Sequence, residues 1–325
     1  DGSVVVPLLG GHRGANRLAA RIAEGLGAQA AVTTAGDVAM GVALDAPPEG
    51  YRLANPEDAK AAMASMLAGE GVRVIGEDIL GIGGDVQGQV ELVAPEAGDA
   101  KRLVYHPQRF VLGLGCARNC DPAEMWALAE ATLAEAGIAP GAVACVASID
   151  LKADEPAINA VAARLGVPLR LFDAGTLEAE AGRLANPSEV VFAEVGCHGV
   201  AEGAVLAAGT ELAVEKRKSA NATCALGRAD QPIVAMPGRA RGRLSVVGIG
   251  PGQASWRTPE ASRLIAEADE LVGYGLYIDL LGPLAAGKAR SDFPLGGEEA
   301  RCRHALERAG EGRNVALVCS GDAGI

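Results

Sequence analysis

Two glycine-rich turns follow strand-like runs near the end of the chain. Gly248-Ile249-Gly250-Pro251-Gly252 closes the run Val246–Ile249, and Gly321-Asp322-Ala323-Gly324-Ile325 follows Val315–Cys319. Glycine lets backbone approach a bound molecule with no Cβ in the way. The first turn departs from the dinucleotide fingerprint, because Pro251 interrupts it and the third glycine is missing, and it has no Lys-Ser/Thr of a phosphate-binding P-loop. A third such turn, Gly10-Gly11-His12-Arg13-Gly14, sets His12 at a strand end, where α/β sheets bind ligands. Charged groups gather at another strand end, where Asp150, Lys152, Asp154 and Glu155 follow Val143–Ser148. Glu202 lies in a small-residue helix after Gly196-Cys197-His198-Gly199, and the run Glu215-Lys216-Arg217-Lys218 follows Leu212–Val214. Carboxylates and imidazoles can serve as general bases. Each of these features also has a plain structural reading: Glu155 satisfying a helix N-terminus, His198 as a turn residue, and the basic run as a solvated strand end.

The elements that must position these residues are those of α/β layers. Val4–Leu9, a helix carrying Leu18, Ile22 and Leu26 on one face, and Ala30–Thr33 form a strand–helix–strand unit. Asn55-Pro56 opens a helix with Asn as N-cap, lined by Met63, Met66 and Leu67 and ended by Gly69. Short strands and turns, among them Gly83-Gly84-Asp85, lead to a boundary near Pro107. A second block runs strand Phe110–Leu114, helix from Asp121-Pro122, strand Val143–Ser148, helix capped by Asp154, and strand Leu169–Phe172. Strand Val190–Val195, a helix to Ala208 and strand Asn221–Leu226 complete it. Arg228–Gly242, with Pro232 and Pro237, reads as an interdomain linker. A third block starts at Leu244, with a helix capped at Thr258-Pro259 and strands Glu270–Val272 and Val315–Cys319.

The whole is a multidomain α/β protein of parallel or mixed sheets flanked by helices. Its divisions are expected at residues 1–40, 41–107, 108–229, 230–242 and 243–325. With 49% hydrophobic and 22% charged residues, the 325-residue chain has the balance of a globular protein. A net charge of −12 argues against nucleic acid as a partner. The longest apolar stretches are broken by charges and glycines well short of a membrane span. The seven cysteines lack metal-ligand spacing, Cys116 and Cys120 coming nearest, so no metal is expected and ordinary thiols in a reducing cytoplasm are. The chain starts just before one strand and stops just after another, so truncation at both ends is expected.

From about residue 242 onward, five ordered motifs resemble the tetrapyrrole methyltransferases. They are Leu244–Gly252, Thr258-Pro259-Glu260-Ala261, Ala268-Asp269, Gly273-Tyr274 with Tyr277-Ile278-Asp279-Leu280, and Ser320–Ile325. The fourth looks like the precorrin-3B C17-methyltransferase branch. The resemblance implies S-adenosylmethionine as cofactor, with Gly248, Gly250, Pro251 and Gly252 at the cleft and Gly321, Asp322, Ala323, Gly324 and Ile325 against the cofactor. It also implies a second domain that completes the pocket, so these residues alone are not expected to methylate; a homodimer through this domain is a further expectation.

Upstream, Pro7–Asn16, Leu18–Ala23 and Val32–Asp37 look like the N-terminal region of cobalt-precorrin-5A hydrolase. Gly113-Leu-Gly-Cys116, Ser148–Glu155, Asn186-Pro187-Ser188, Gly199–Glu202 and Glu215–Thr223 resemble its C-terminal domain. The resemblance implies a precorrin or cobalt-precorrin macrocycle rich in carboxylates. Lys152, Lys216, Arg217 and Lys218 are then candidates to bind it despite the acidic total. Opening a lactone needs activated water and charge stabilisation, with Glu155, Glu202 or His12 as candidate base. Two other readings stay open: the hydrolase-like half as a non-catalytic tetrapyrrole-binding module, and a nicotinamide-dependent α/β enzyme, which lacks its fingerprint here.

Overall fold

The structure, a computed structural model, describes residues 15–31, 43–69, 74–75, 78–81, 89–92 and 102–321. Val4–Leu9, the glycine turn with His12, Gly83–Asp85 and Asp322–Ile325 lie outside the described residues, as does the end of the expected strand Ala30–Thr33. Ala30 and Ala31 themselves carry no regular structure.

Helix α1 spans Ala15–Leu26. Leu18, Ile22 and Leu26, which share one face of the helix, are exposed. A first sheet follows, with β1 (Tyr51–Leu53), α2 (Ala59–Leu67), β2 (Val74–Ile75), β3 (Gln89–Leu92) and β4 (Arg102–Pro107) in the strand order β1-β4-β3-β2. Asn55 does not cap with its side chain: its Oδ1 accepts from the Val104 N–H, pinning the helix entry to β4.

The second sheet is the largest. It is built from β5 (Phe110–Cys116), α3 (Pro122–Glu135), β6 (Val143–Ile149), α4 (Pro156–Leu165), β7 (Leu169–Phe172), α5 (Ala174–Glu178), α6 (Glu189–Val195), α7 (Val200–Ala207), β8 (Glu211–Lys218), β9 (Ala222–Arg228) and β10 (Arg239–Ala240). Its order is β10-β7-β6-β5-β9-β8. β5, β6 and β7 are parallel, joined by crossovers through α3 and α4, whereas β9 and β10 pair antiparallel with β5 and β7. One face packs Met125, Leu133, Ile158 and Val161 of α3 and α4 on Leu112, Leu114 and Val146. The other seats α7 through Ala201, Ala204 and Val205 on Val111, Cys145 and Ala225.

The run expected as strand Val190–Val195 is helix α6. Ser188 accepts from the Val191 N–H as N-cap, and Gly196, at φ +77°, ends it. The caps outweigh the β propensity of the valines. The stretch read as a linker contributes β10 to the edge of the second sheet.

The third unit holds β11 (Arg243–Gly248), α8 (Pro259–Glu267), β12 (Glu270–Tyr274), α9 (Gly275–Asp279), β13 (Ala289–Phe293), α10 (Glu298–Gly310) and β14 (Asn314–Cys319). All pairings in the order β11-β14-β12-β13 are parallel. Thr258 caps α8 by accepting from the Ala261 N–H. Among the described residues no single helix is long and apolar enough to cross a membrane.

Candidate functional site

Parallel strands end together, and the crevice beyond their carboxyl ends is where side chains from successive loops converge. Beyond β5 and β6 this brings together Cys116, Arg118, Asn119, Lys152 and Glu155. Glu155 stands at the N-cap position of α4 but its side chain makes no cap hydrogen bond, and Asp154 does not cap either. Instead Glu155, only 1% exposed, turns across to the neighbouring loop, where its Oε1 accepts from the Asn119 N–H at 2.9 Å. Its Oε2 faces two cations, Lys152 Nζ and the Arg118 guanidinium, each at 3.7 Å. Lys152 is 12% exposed and Arg118 61% exposed. Arg118 is steadied by donating to the Leu151 carbonyl at 2.7 Å. The loop bends through Asn119 at φ +60°, a left-handed conformation Asn tolerates. Cys116 sits beside this pair, but burial pushes its thiol up to about 12 against the pull of Lys152, so it is a protonated neighbour near neutral pH and not a nucleophile.

Glu202, equally buried, is differently placed. It lies in the first turn of α7 and accepts from the Asn186 N–H (2.9 Å), the Asn186 side-chain amide (2.9 Å) and the Lys216 N–H (2.8 Å). Burial raises its carboxyl, but these donors and the Lys216 charge outweigh it and hold Glu202 below the ordinary carboxylate range. Both oxygens are engaged in joining α7, the Asn186 loop and β8. That geometry fits a positioning carboxylate rather than a base.

The basic run does not form one patch. Successive strand side chains point to opposite faces. Lys216 reaches the Asn186 carbonyl at 2.5 Å beside Glu202, whereas Arg217 forms a fork with Glu135 of α3. Lys218, at the end of β8, is exposed. None of the three meets Lys152 in these contacts. His198 stacks on Phe192 with ring centroids 4.4 Å apart and bonds through Nδ1 to Glu178 at 2.9 Å. The Glu178 hydrogen bond raises the His198 pKa. His12 lies outside the described residues.

In the third sheet the first glycine turn meets Gly321. Gly248 and Cys319 are register partners at the ends of β11 and β14, and Ile249 N–H donates to the Cys319 carbonyl at 2.8 Å. A Cβ on Gly248 would lie 3.2 Å from Gly321 Cα. Gly250, Gly252 and Gly321 all adopt positive φ, at +63°, +103° and +92°. The result is a backbone-walled cradle at the carboxyl edge of two adjacent strands, with the Leu280 side chain of the α9 end closing against Gly252. Such a cradle fits a nucleoside-bearing cofactor held by main-chain groups, with Gly248, Gly250, Pro251, Gly252 and Gly321 as its described wall. Asp322, Ala323, Gly324 and Ile325 lie outside the described residues.

Arg118 and Asn119 look in the sequence, with Cys120, like a local variation rather than a catalytic addition, and yet they stand beside Glu155. Their signal was position: they follow a buried strand directly, at the edge where Lys152 also lies.

Comparisons with known proteins match three stretches of the chain. The family described as Cobalamin synthesis G N-terminal matches residues 1–37, Cobalamin synthesis G C-terminus matches 110–227, and Tetrapyrrole (Corrin/Porphyrin) Methylases matches 243–325. Protein CobE of Sinorhizobium sp is 60% identical over 120 residues, 36% of this chain and 78% of its own length. The cobalt-precorrin-5A hydrolase of Priestia megaterium is 28% identical over 256 residues, covering 68% of each chain. The probable cobalt-factor III C(17)-methyltransferase of Salmonella typhimurium is 43% identical over 82 residues. Those are 25% of this chain and 34% of that protein, so the chain spans about a third of this methyltransferase relative. The chain belongs to the cobalamin synthesis G family of cobalamin biosynthesis, joined to the start of a tetrapyrrole methylase region.

Proposed function

We propose that the hydrolase-like region binds a carboxylate-rich precorrin or cobalt-precorrin at the carboxyl edge of β5 and β6, where Lys152 and Arg118 receive a peripheral carboxylate and Glu155 activates water to open the ring lactone. One observation carries this reading. Glu155 is a buried carboxylate with a single hydrogen bond and two cations at 3.7 Å, one of them carried by the exposed Arg118. An incoming carboxylate that takes over the cations leaves Oε2 free to accept a proton from the water that adds to the lactone carbonyl, and Glu155 returns that proton to the ring oxygen released as the acyl C–O bond breaks. The decisive comparison is Glu155→Gln against the parent in the full-length protein. Retained tetrapyrrole binding with lost lactone opening supports the role; unchanged opening removes it.

A second reading has the same edge hold the macrocycle without opening it. It is favoured by the fact that Glu155 is already ion-paired to both Lys152 and Arg118, which leaves the cluster with one positive charge to hold a carboxylate. In that case the parent protein binds the tetrapyrrole and mass spectrometry finds its lactone intact.

For residues 243–325 the proposal is methyl transfer to C17 of a precorrin-3B-type ring. S-adenosylmethionine, when bound, supplies a methyl already activated on a sulfonium. The chain's own residues then need only hold and orient, which the glycine cradle suits. The 325 residues alone are expected to be inactive in methyl transfer, and turnover by them would overturn that expectation. A homodimer through this region belongs to the same proposal, and a monomer by light scattering would end it.

A further inference from the structure

The segment between the two regions is held at both of its ends. A free chain of this length would wander over roughly 20 Å. Here β10 pairs with β7, Arg239 opposite Leu171 and Ala240 opposite Arg170. Arg170 donates to the carbonyls of Pro237 (2.6 Å) and Gly238 (2.5 Å). Immediately beyond, Gly242 and Gly312 pack so closely that a Cβ would lie 1.8 Å from the Ala309 carbonyl oxygen and 2.6 Å from that of Ala240, respectively. Arg243 N–H donates to the Arg313 carbonyl at 3.0 Å.

Arg239 sits at the centre of this joint. One arm of its guanidinium reaches the Asp150 carboxylate at 2.9 Å, and the other donates to the Gly310 carbonyl at the end of α10. Asp150 begins the short turn Asp150–Lys152 that follows β6, and the Glu155 N–H donates to the Lys152 carbonyl. One side chain therefore ties the turn bearing Lys152 in the hydrolase-like region to the end of α10 in the methyltransferase-like region.

We infer that Arg239 is a positioning residue that locks the two regions together and holds the Lys152 turn in place, so that the fusion is a rigid joint with its substrate-binding edge braced by the neighbouring unit. The planar fork matters, because a lysine offers one point charge and holds Asp150 or Gly310 but not both. The second half of the inference rests on the reading of the β5–β6 edge as the tetrapyrrole site; the first half does not.

The test is hydrogen–deuterium exchange on the full chain as parent, Arg239→Ala, Arg239→Lys and Asp150→Asn, with binding of uroporphyrin, an octacarboxylate tetrapyrrole, measured in parallel. Loss of a charge-assisted hydrogen bond corresponds to about a tenfold change or more. Arg239→Ala is expected to speed exchange by that factor at both 150–155 and 309–313, with the Phe110–Leu114 amides unchanged as a check on folding. Arg239→Lys restores only one of the two segments, and Asp150→Asn loosens 150–155 alone. Loosening confined to residues 239–240, or to a single segment in Arg239→Ala, overturns the joint. Uroporphyrin affinity is expected to fall in Arg239→Ala and Lys152→Ala alike. If Lys152→Ala weakens binding and Arg239→Ala does not, the bracing role is overturned while the site stands. If neither weakens it, the site reading fails, and the exchange data still decide the joint.

Discussion

Gly113 of β5 lies directly beneath Ala201 of α7, so close that a Cβ on the glycine would come within 2.0 Å of the Ala201 carbonyl oxygen. Two residues on, a Cβ on Gly115 would meet side chains instead, the Thr223 hydroxyl at 2.8 Å and Val200 Cβ at 3.3 Å. The first glycine of the Gly113-Leu-Gly-Cys116 motif thus makes room for a helix. The obstacle at Gly113 is backbone and cannot rotate away. Gly113→Ala is expected to destabilise by at least the ~1–3 kcal/mol typical of overpacking, seen as a melting temperature several degrees lower. A melting curve superimposable on the parent's would show that α7 can slide.

The two buried glutamates separate by what they hold. Glu202→Gln puts an amide N–H against the Asn186 or Lys216 donors, stranding buried polar groups at a cost of about 1–3 kcal/mol. Its effect is expected in thermal stability. Glu155→Gln is expected to act on lactone opening, with a smaller effect on melting. Reversed effects, with Glu155→Gln the less stable and Glu202→Gln the less active, would exchange their roles.

Much of this arrangement is legible in the residues. The strands of the second and third sheets follow their apolar runs, and Asp121 and Thr258 announce their helices by capping them. Misreadings arise where a local signal has a competitor. Val190-Val191-Phe192 has strand composition, yet Ser188 and Gly196 decide for helix. Asp154-Glu155-Pro156 has the look of a cap, yet Glu155 is claimed by Asn119 on a loop 36 residues away, a pairing that only the parallel sheet creates. Lys216 and Arg217 read as one basic patch because adjacency in sequence hides the alternation of a strand. The proline-bearing stretch 230–242 looks unstructured because β10 takes its partners from β7 and not from its own neighbourhood.

Acid should loosen the third unit through Glu270. This carboxylate, 3% exposed, is bonded by Arg308 at 2.8 Å, Ser291 at 2.8 Å and His304 at 3.1 Å. Burial pushes its carboxyl up, but these partners prevail and hold it at about 2, against 4.5 for an ordinary glutamate. A depressed folded pKa contributes stability that is present above the unfolded value and is lost as pH falls through the folded one. The loss is therefore expected between about pH 4.5 and 2. Denaturant melts across that window should show a slope that Glu270→Gln flattens; an unchanged slope would mean that other carboxylates dominate the acid limb.

The His198–Glu178 pair has the opposite sign at its upper end. The Glu178 hydrogen bond raises His198, with a further push from Glu189, and His198 in turn lowers Glu178. The histidine's contribution is complete below its unfolded value of 6.5 and fades as pH rises through its higher folded value. The glutamate's contribution fades as pH falls below 4.5. The loop before α7 should thus be held best between these limits. NMR titration of His198 is expected to give a pKa above 6.5 that falls on Glu178→Gln; a midpoint at or below 6.5 in the parent would refute the pairing.

The glycine cradle makes a prediction that separates ligand contact from backbone strain. Gly321 and Gly287 both adopt positive φ, at +92° and +74°, and a Cβ on either meets nothing within 4 Å. Alanine at either position pays a similar conformational cost. Only Gly321 faces the Gly248 turn across the β11–β14 edge. In the full-length protein, Gly321→Ala and Gly287→Ala should therefore melt alike, whereas only Gly321→Ala should weaken S-adenosylmethionine binding, by about tenfold if one main-chain contact is lost. Equal affinities for the two variants in calorimetry would mean that the open space beside Gly321 is not where the cofactor lies, and the carboxyl edge of β11 and β14 would then have to bind through side chains that the glycines merely leave room for.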